Sequence, residues 1–192
     1  MAFLMPSASS IQRVMECPSS HVLPQINSSS EAAERGTAIH AFLEQIVSGA
    51  SMEAALAVVP EAYRSDCQDI NLEPFRAKEY RALQAELSIA VNIVTGQARI
   101  LGGNRAYGTV TPDEFYGTAD YIGRTDDGRI VVGDFKTGQA NVASPKDNWQ
   151  LRTLAYILSR LHGEEEIEVA IVKTDGELRI YEHRFDALEL AI

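Results

Sequence analysis

The sequence predicts an α/β fold: a mixed central β-sheet whose antiparallel meander carries the candidate site, with helices on its flanks. Three observations predict it. Residues 1–85 carry helical periodicity, residues 86–135 break into β-branched runs separated by Gly and Asp, and one further helical stretch after residue 149 is followed by two more strands. With 192 residues, 45% of them apolar, the chain can bury a core without disulfides. A single domain over 1–192 is therefore expected, mainly helical over 1–85 and sheet-containing over 86–192.

A first helix is expected to open near Ser9 or Ser10, whose hydroxyl can cap Ile-Gln-Arg-Val-Met-Glu-Cys, and to close at Pro18. The Ser- and Pro-rich stretch to Ser30 reads as a loop. Residues 31–47 read as a second helix, with His40, Leu43, Glu44 and Val47 at i, i+3, i+4 and i+7. Gly36 is read as a break in it, with Thr37 capping the part that carries His40. Helical patterns continue through 52–59 and 72–83, punctuated by Pro60 and Pro74.

Strands are then expected over 89–95, 97–101, 116–124 and 130–135. Ile130, Val131 and Val132 make the last of these apolar on both faces, as in a buried central strand. Leu151, Leu154, Ala155, Leu158 and Leu161 form one helical stripe over 149–161, which His162-Gly163 ends. Strands over 167–173 and 178–185 follow, joined by the hairpin signal Thr174-Asp175-Gly176-Glu177.

Seventeen Lys and Arg against 27 Asp and Glu give a net charge of -10, which argues against a generally basic nucleic-acid surface but leaves room for a local basic groove. Cys17 and Cys67 are the only cysteines, too few for a disulfide scaffold, a zinc finger or a four-thiolate cluster. No apolar run approaches the ~18 residues of a membrane span, and the N-terminus lacks a signal-peptide pattern. A soluble protein of a reducing cytoplasm, with no membrane partner, is the expectation.

The chemistry concentrates between Gly117 and Gly138, in two strands around a turn with acids at their outer ends. Register decides whether those acids meet, because a slip of one residue turns a strand's side chains to the opposite face. With a two-residue turn at Asp127-Gly128, Asp120 would face away from Asp134. A three-residue loop, Asp126-Asp127-Gly128 with Gly128 left-handed, instead pairs Asp120 with Asp134 on one face, and this register is expected. Their Cβ atoms would then lie roughly 5 Å apart, a span one hard divalent cation can bridge. Lys136 lies on the same face, where its ammonium can orient a water or stabilise a phosphate. An Asp-x-Lys triplet alone is also what a surface ion pair looks like; its place in a buried strand argues for a site.

The chain resembles the PD-(D/E)XK nuclease superfamily, in the branch similar to RecB and Cas4 nuclease domains and related phage proteins. The resemblance rests on Ser7-Ala-Ser-Ser with Cys17-Pro18, Gly36-Thr-Ala-Ile-His40 with Glu44, Gly117-Thr-Ala-Asp120, Gly133-Asp134-Phe-Lys136-Thr-Gly138 and Asn148-Trp-Gln150-Leu, in that order along most of the chain. It implies a restriction-endonuclease-like fold and a metal-dependent DNA nuclease, by analogy with phage relatives an exonuclease. It further implies that His40, Asp120, Asp134 and the Phe135 carbonyl bind Mg²⁺ or Mn²⁺, that Lys136 positions the water, and that Gln150 holds the substrate or the site. Relatives with an iron–sulfur cluster have three cysteines near the C-terminus; this chain has none after Cys67, so no cluster is expected.

Several assignments stay open at this stage. His40 is either a metal ligand or a hydrogen-bonded core histidine, and Glu44, one turn on, either supports His40 or is a solvated charge. Glu86, read as the start of the meander, is an acid near the site or a strand-end charge. Arg105 and Tyr107 either contact phosphate and base or are an ordinary loop arginine and a packed tyrosine. Trp149 reads as core, and the role of Tyr156 is open. DNA is the expected partner, with a recombination or single-strand-binding protein and a homo-oligomer as further expectations, in a bacterial or phage-infected cell. The rival readings are a nuclease-fold binding or assembly module with little turnover, and an unrelated α/β enzyme.

Overall fold

A computed structural model describes residues 5–23, 30–103, 108–138, 142–175 and 177–191. Helices α1 (Ala8–Glu16), α2 (Glu31–Val47), α3 (Met52–Ala57), α4 (Arg64–Gln68) and α5 (Glu73–Arg76) precede strands β1 (Arg81–Asn92), β2 (Ala98–Gly103), β3 (Glu114–Arg124) and β4 (Ile130–Thr137). Helix α6 (Trp149–His162), β5 (Ile167–Thr174), β6 (Leu178–Phe185) and the short α7 (Ala187–Leu190) complete the order. The six strands form one mixed sheet, β2-β1-β3-β4-β5-β6, antiparallel except where β4 and β5 run parallel across the α6 crossover.

The parallel pair explains the composition of β4. Crossover connections put helices on both faces of a sheet, so a central parallel strand is buried twice. Ile130 and Val132 pack under α6, whereas Val131 and Phe135 pack beneath α2, and all four are at most 3% exposed. The α6 core includes Leu151, Leu154, Ala155 and Leu158 of the stripe read from the sequence, with Ile157 beside them and the partly buried Leu161 packed against it; the α2 core includes Ile39, Phe42, Leu43 and Tyr121. Gly163 ends α6 in the left-handed conformation, φ 71°.

Several local expectations are corrected. The N-cap of α1 is Ser7, and its hydroxyl lies against Ser9 and Ser10 rather than on a backbone N–H. Helix α2 runs through Gly36 without a break, because Ser30 caps it and the Thr37 hydroxyl bonds back to the Ala33 carbonyl. The helix expected over 72–83 stops at Arg76, and β1 begins at Arg81. Leu83, Gln84, Ala85 and Glu86 are good helix formers, but pairing with β3 outweighs their weak intrinsic preference. Helix α3 ends at Ala57 and β1 at Asn92, short of the expected 59 and 95. Among the described residues no helix is long and apolar enough to cross a membrane.

Candidate functional site

The site forms where β3 and β4 part. The hairpin register is Arg124 to Ile130, Gly123 to Val131, Ile122 to Val132 and Tyr121 to Gly133, and there the ladder stops. Its turn is the expected three-residue loop: the Thr125 N–H donates to the Arg129 carbonyl, the Gly128 N–H to the Thr125 carbonyl, and Gly128 is left-handed at φ 92°. Extending the register by one step sets Asp120 opposite Asp134. The strands have separated by then, and the Asp120 carboxylate fills the gap, accepting the Phe135 N–H at 2.6 Å. A parallel bridge from Ser7 to Tyr116 takes the side of β3 that β4 has left.

Glycines set the close approaches around this opening. A Cβ at Gly133 would lie 1.9 Å from the buried Tyr121 ring, so the glycine leaves room for an aromatic side chain across the ladder. A Cβ at Gly117 would lie 2.6 Å from the Ala8 Cβ, and one at Gly36 2.8 Å from the Thr137 hydroxyl. The last contact draws α2 onto the end of β4. His40, one turn further along α2, thereby reaches the opening, with Nδ1 3.6 Å from Asp120 Oδ2 and its ring edge-on to Phe135.

Asp134 and Lys136 share a face of β4, and Lys136 Nζ lies 2.6 Å from Asp134 Oδ2. The contact lacks hydrogen-bond alignment: Oδ2 is a buried acceptor with a cationic neighbour and no donor. From the first turn of α6, Gln150 donates to Asp134 Oδ1 at 2.9 Å, and its carbonyl accepts from Lys136 Nζ at 3.4 Å. Asn148 caps that turn through the Leu151 N–H and fixes the helix start that presents Gln150.

Glu86 belongs to the same row, although it stands in mid-strand rather than opening the meander. Ala85 pairs with Tyr121 and Leu87 with Ala119, which sets Glu86 opposite Asp120. Its backbone is left-handed at φ 49°, a costly conformation for a residue with a Cβ, and its side chain is buried. Glu86, Asp120 and Asp134 thus lie at one level on three adjacent strands. Desolvation, and next the charge of Asp134, push the Asp120 carboxyl up to about 7; the Phe135 N–H opposes, Glu86 adds to the rise, and Lys136 also opposes.

Glu86, alone of this row, lines a cleft of about 660 Å³ together with Ala33, Gly36, His40, Glu44 and Thr137 among others. Glu44 accordingly shares the cleft with His40. Sequence reasoning missed Thr137, whose signal was the glycine on the helix that meets it, and the part-buried Ser88–Thr118 hydroxyl pair, 2.8 Å apart and two residues along from Glu86 and Asp120. Trp149 is only half-buried, with the Arg152 guanidinium over its ring at 5.4 Å, and Tyr156 packs against the α6 core. Arg105 and Tyr107 lie outside the described residues.

The donors suit a hard divalent cation: carboxylates from two strands and an imidazole from a helix. Among the described residues no three His, Cys, Asp or Glu side chains stand as a preformed metal cage, and the ammonium of Lys136 sits on Asp134. The group nevertheless fits a cation. A buried, donorless carboxylate oxygen beside a second carboxylate whose ionisation is suppressed is the arrangement that a positive charge relieves.

The family profile of the PD-(D/E)XK nuclease superfamily matches residues 6–188. The crystal structure of a candidate exonuclease from Eubacterium rectale aligns with a TM-score of 0.50 and 11% identity, covering 98% of this chain and 75% of that one. A second crystal structure, of the protein SSO0001, aligns with a TM-score of 0.32 and 16% identity over 94% of this chain and 79% of its own. No curated protein matches the sequence.

Proposed function

The chain belongs to the PD-(D/E)XK nuclease superfamily, and from that premise we propose that it is a divalent-metal-dependent deoxyribonuclease that hydrolyses phosphodiester bonds, acting as an exonuclease in DNA recombination, repair or phage DNA processing. The observation that carries the reading is the meeting of Asp120 and Asp134 at the parting of β3 and β4, with Lys136 on Asp134. The exonuclease part draws on the name of the E. rectale structure. The chain is taken to act as a single domain of the cytoplasm.

In this proposal His40, Asp120, Asp134 and the Phe135 carbonyl hold one Mg²⁺ or Mn²⁺, whose chemistry is to polarise a phosphate oxygen and lower the pKa of a water. The protein's own part is positional. Lys136, with three donors and one carboxylate neighbour, keeps N–H groups for a water or a non-bridging phosphate oxygen. Gln150 ties Lys136 and Asp134 into one frame, so that the acid and the ammonium move together. Burial strengthens these interactions on the charge that builds on the phosphorus oxygens. Glu86 and Glu44 add negative charge to the cleft wall and favour a cation there.

End-labelled linear DNA and circular DNA, each with Mn²⁺ or with EDTA, test the reading. Loss of label from linear DNA only with Mn²⁺, intact circles, and at least a ~100-fold drop for Asp134→Asn are expected. Intact linear DNA with Mn²⁺, or an Asp134→Asn variant as active as the wild type, would overturn it.

A further inference from the structure

The register of the sheet places a second feature beside the candidate site. On the parallel pair β4/β5, Lys136 is aligned with Lys173, and on the antiparallel pair β5/β6, Lys173 is aligned with Arg179. Aligned residues share a face, so three cations stand in a row across three strands, each step roughly 4.8 Å. One residue pair further back, Asp134, Ile171 and Tyr181 form a parallel row on that face. Each cation of the row is paired with a carboxylate, Asp134, Asp175 and Glu177, so what the row offers is a line of N–H donors.

A cavity of about 310 Å³ lies over this part of the sheet. Ile171 and Lys173 form its floor, Tyr181 one wall, and Val142, Ser144 and Pro145 the other. Tyr181 is 46% exposed, an open aromatic ring on an edge strand. Lys173 is held by Asp175 at 3.0 Å and Arg179 by Glu177 at 3.2 Å. These carboxylates fix the two cations in place, while Lys has three donors and Arg five, so donors remain for another anion.

We infer that this cavity is a subsite for a nucleotide of the DNA strand next to the scissile phosphate, with Lys173 and Arg179 on its phosphate and Tyr181 stacked on its base. The inference rests on the nuclease reading for the identity of the strand. Two things single out a nucleic-acid strand as the occupant. The cationic row is continuous with Lys136, so a backbone seated at the site meets the next cation one strand away. The exposed ring stands beside those cations, and phosphate contact with base stacking is how single strands are gripped without sequence preference.

The test measures binding and turnover separately. Binding of fluorescein-labelled oligo-dT is followed by anisotropy with Mg²⁺ in a Lys136→Ala background, which keeps the strand intact, and cleavage kinetics with Mn²⁺ are followed in the wild-type background. Tyr181→Ala and Lys173→Gln are each expected to raise Kd and KM about tenfold, a loss in the range of one stacked base, with kcat within about twofold and Tyr181→Phe close to wild type. Circular dichroism establishes that the variants fold. Unchanged Kd in both Tyr181→Ala and Lys173→Gln would overturn the subsite even if the enzyme cuts DNA. A tyrosine-dependent Kd in a protein that cuts nothing would keep the subsite and overturn the nuclease reading instead.

Discussion

Replacing Asp120 by Asn should make the metal-free protein more stable, and by an amount that depends on pH. The Asp120 carboxyl is pushed up to about 7 by its burial and by Asp134, against 3.8 for an unperturbed aspartate. The folded state therefore holds a proton that the unfolded state releases. A group raised in this way contributes fully below the unfolded pKa, and its contribution is lost as pH rises through the folded one. Over about three pH units at 1.36 kcal/mol each, the loss is at most ~4 kcal/mol, and local relaxation makes ~2–4 kcal/mol the expectation near pH 8. Asn carries no charge yet keeps a carbonyl oxygen for the Phe135 N–H, so it escapes the penalty without losing the bond. Urea unfolding in EDTA is the assay. The variant should match the wild type near pH 4 and exceed it at pH 8, with a midpoint higher by about 1–2 M for an m-value of ~2 kcal/mol/M. Saturating Mn²⁺ should stabilise the wild type by ~3 kcal/mol at one hundred times its dissociation constant and the variant by less. A gap that does not change with pH, or a variant less stable at pH 8, would refute the reasoning.

Three further outcomes follow from particular contacts. Gly133→Ala places a Cβ 1.9 Å from the Tyr121 ring and should cost about 2–3 kcal/mol or prevent folding; Gly133→Ala with Tyr121→Leu should recover part of that in thermal melts. Gly36→Ala drives a methyl to 2.8 Å from the Thr137 hydroxyl and should push α2 and His40 outward, lowering nuclease activity about tenfold or more while the melting temperature barely moves. Thr137→Ala in the same chain should restore it. The Arg99 guanidinium, bonded to Glu114 through two nitrogens, is the main cause holding that carboxyl down at about 2. The stability it confers is present above pH ~4.5 and fades as pH falls through about 2. Glu114→Gln should accordingly cost about 1–2 kcal/mol at pH 7 and almost nothing near pH 2 by chemical denaturation.

The parts of the fold that were legible in the sequence are those where local chemistry leaves few solutions. Gly128 after two aspartates admits a three-residue loop, and that loop fixes the β3/β4 register on which the meeting of Asp120 and Asp134 depends. The doubly apolar run at Ile130–Val132 needs cover on both faces, and α2 and α6 supply it. The first half of β1, from Arg81, was hidden because it is built of helix formers, and pairing with β3 makes an extended chain the better state there. Its left-handed residues, Ala82 at φ 49° and Glu86, leave no mark in a sequence, since neither is Gly or Asn. The row of Lys136, Lys173 and Arg179 was equally hidden. It arises from a parallel and an antiparallel pairing between segments distant along the chain.

Calorimetric titration of Mn²⁺ into the metal-free protein at pH 7 tests the central claim most directly. One site per chain is predicted, weakened at least ~10-fold by Asp120→Asn and likewise by Asp134→Asn, because in the proposed site both carboxylates hold the same cation. Heats identical in the wild type and both variants would contradict it.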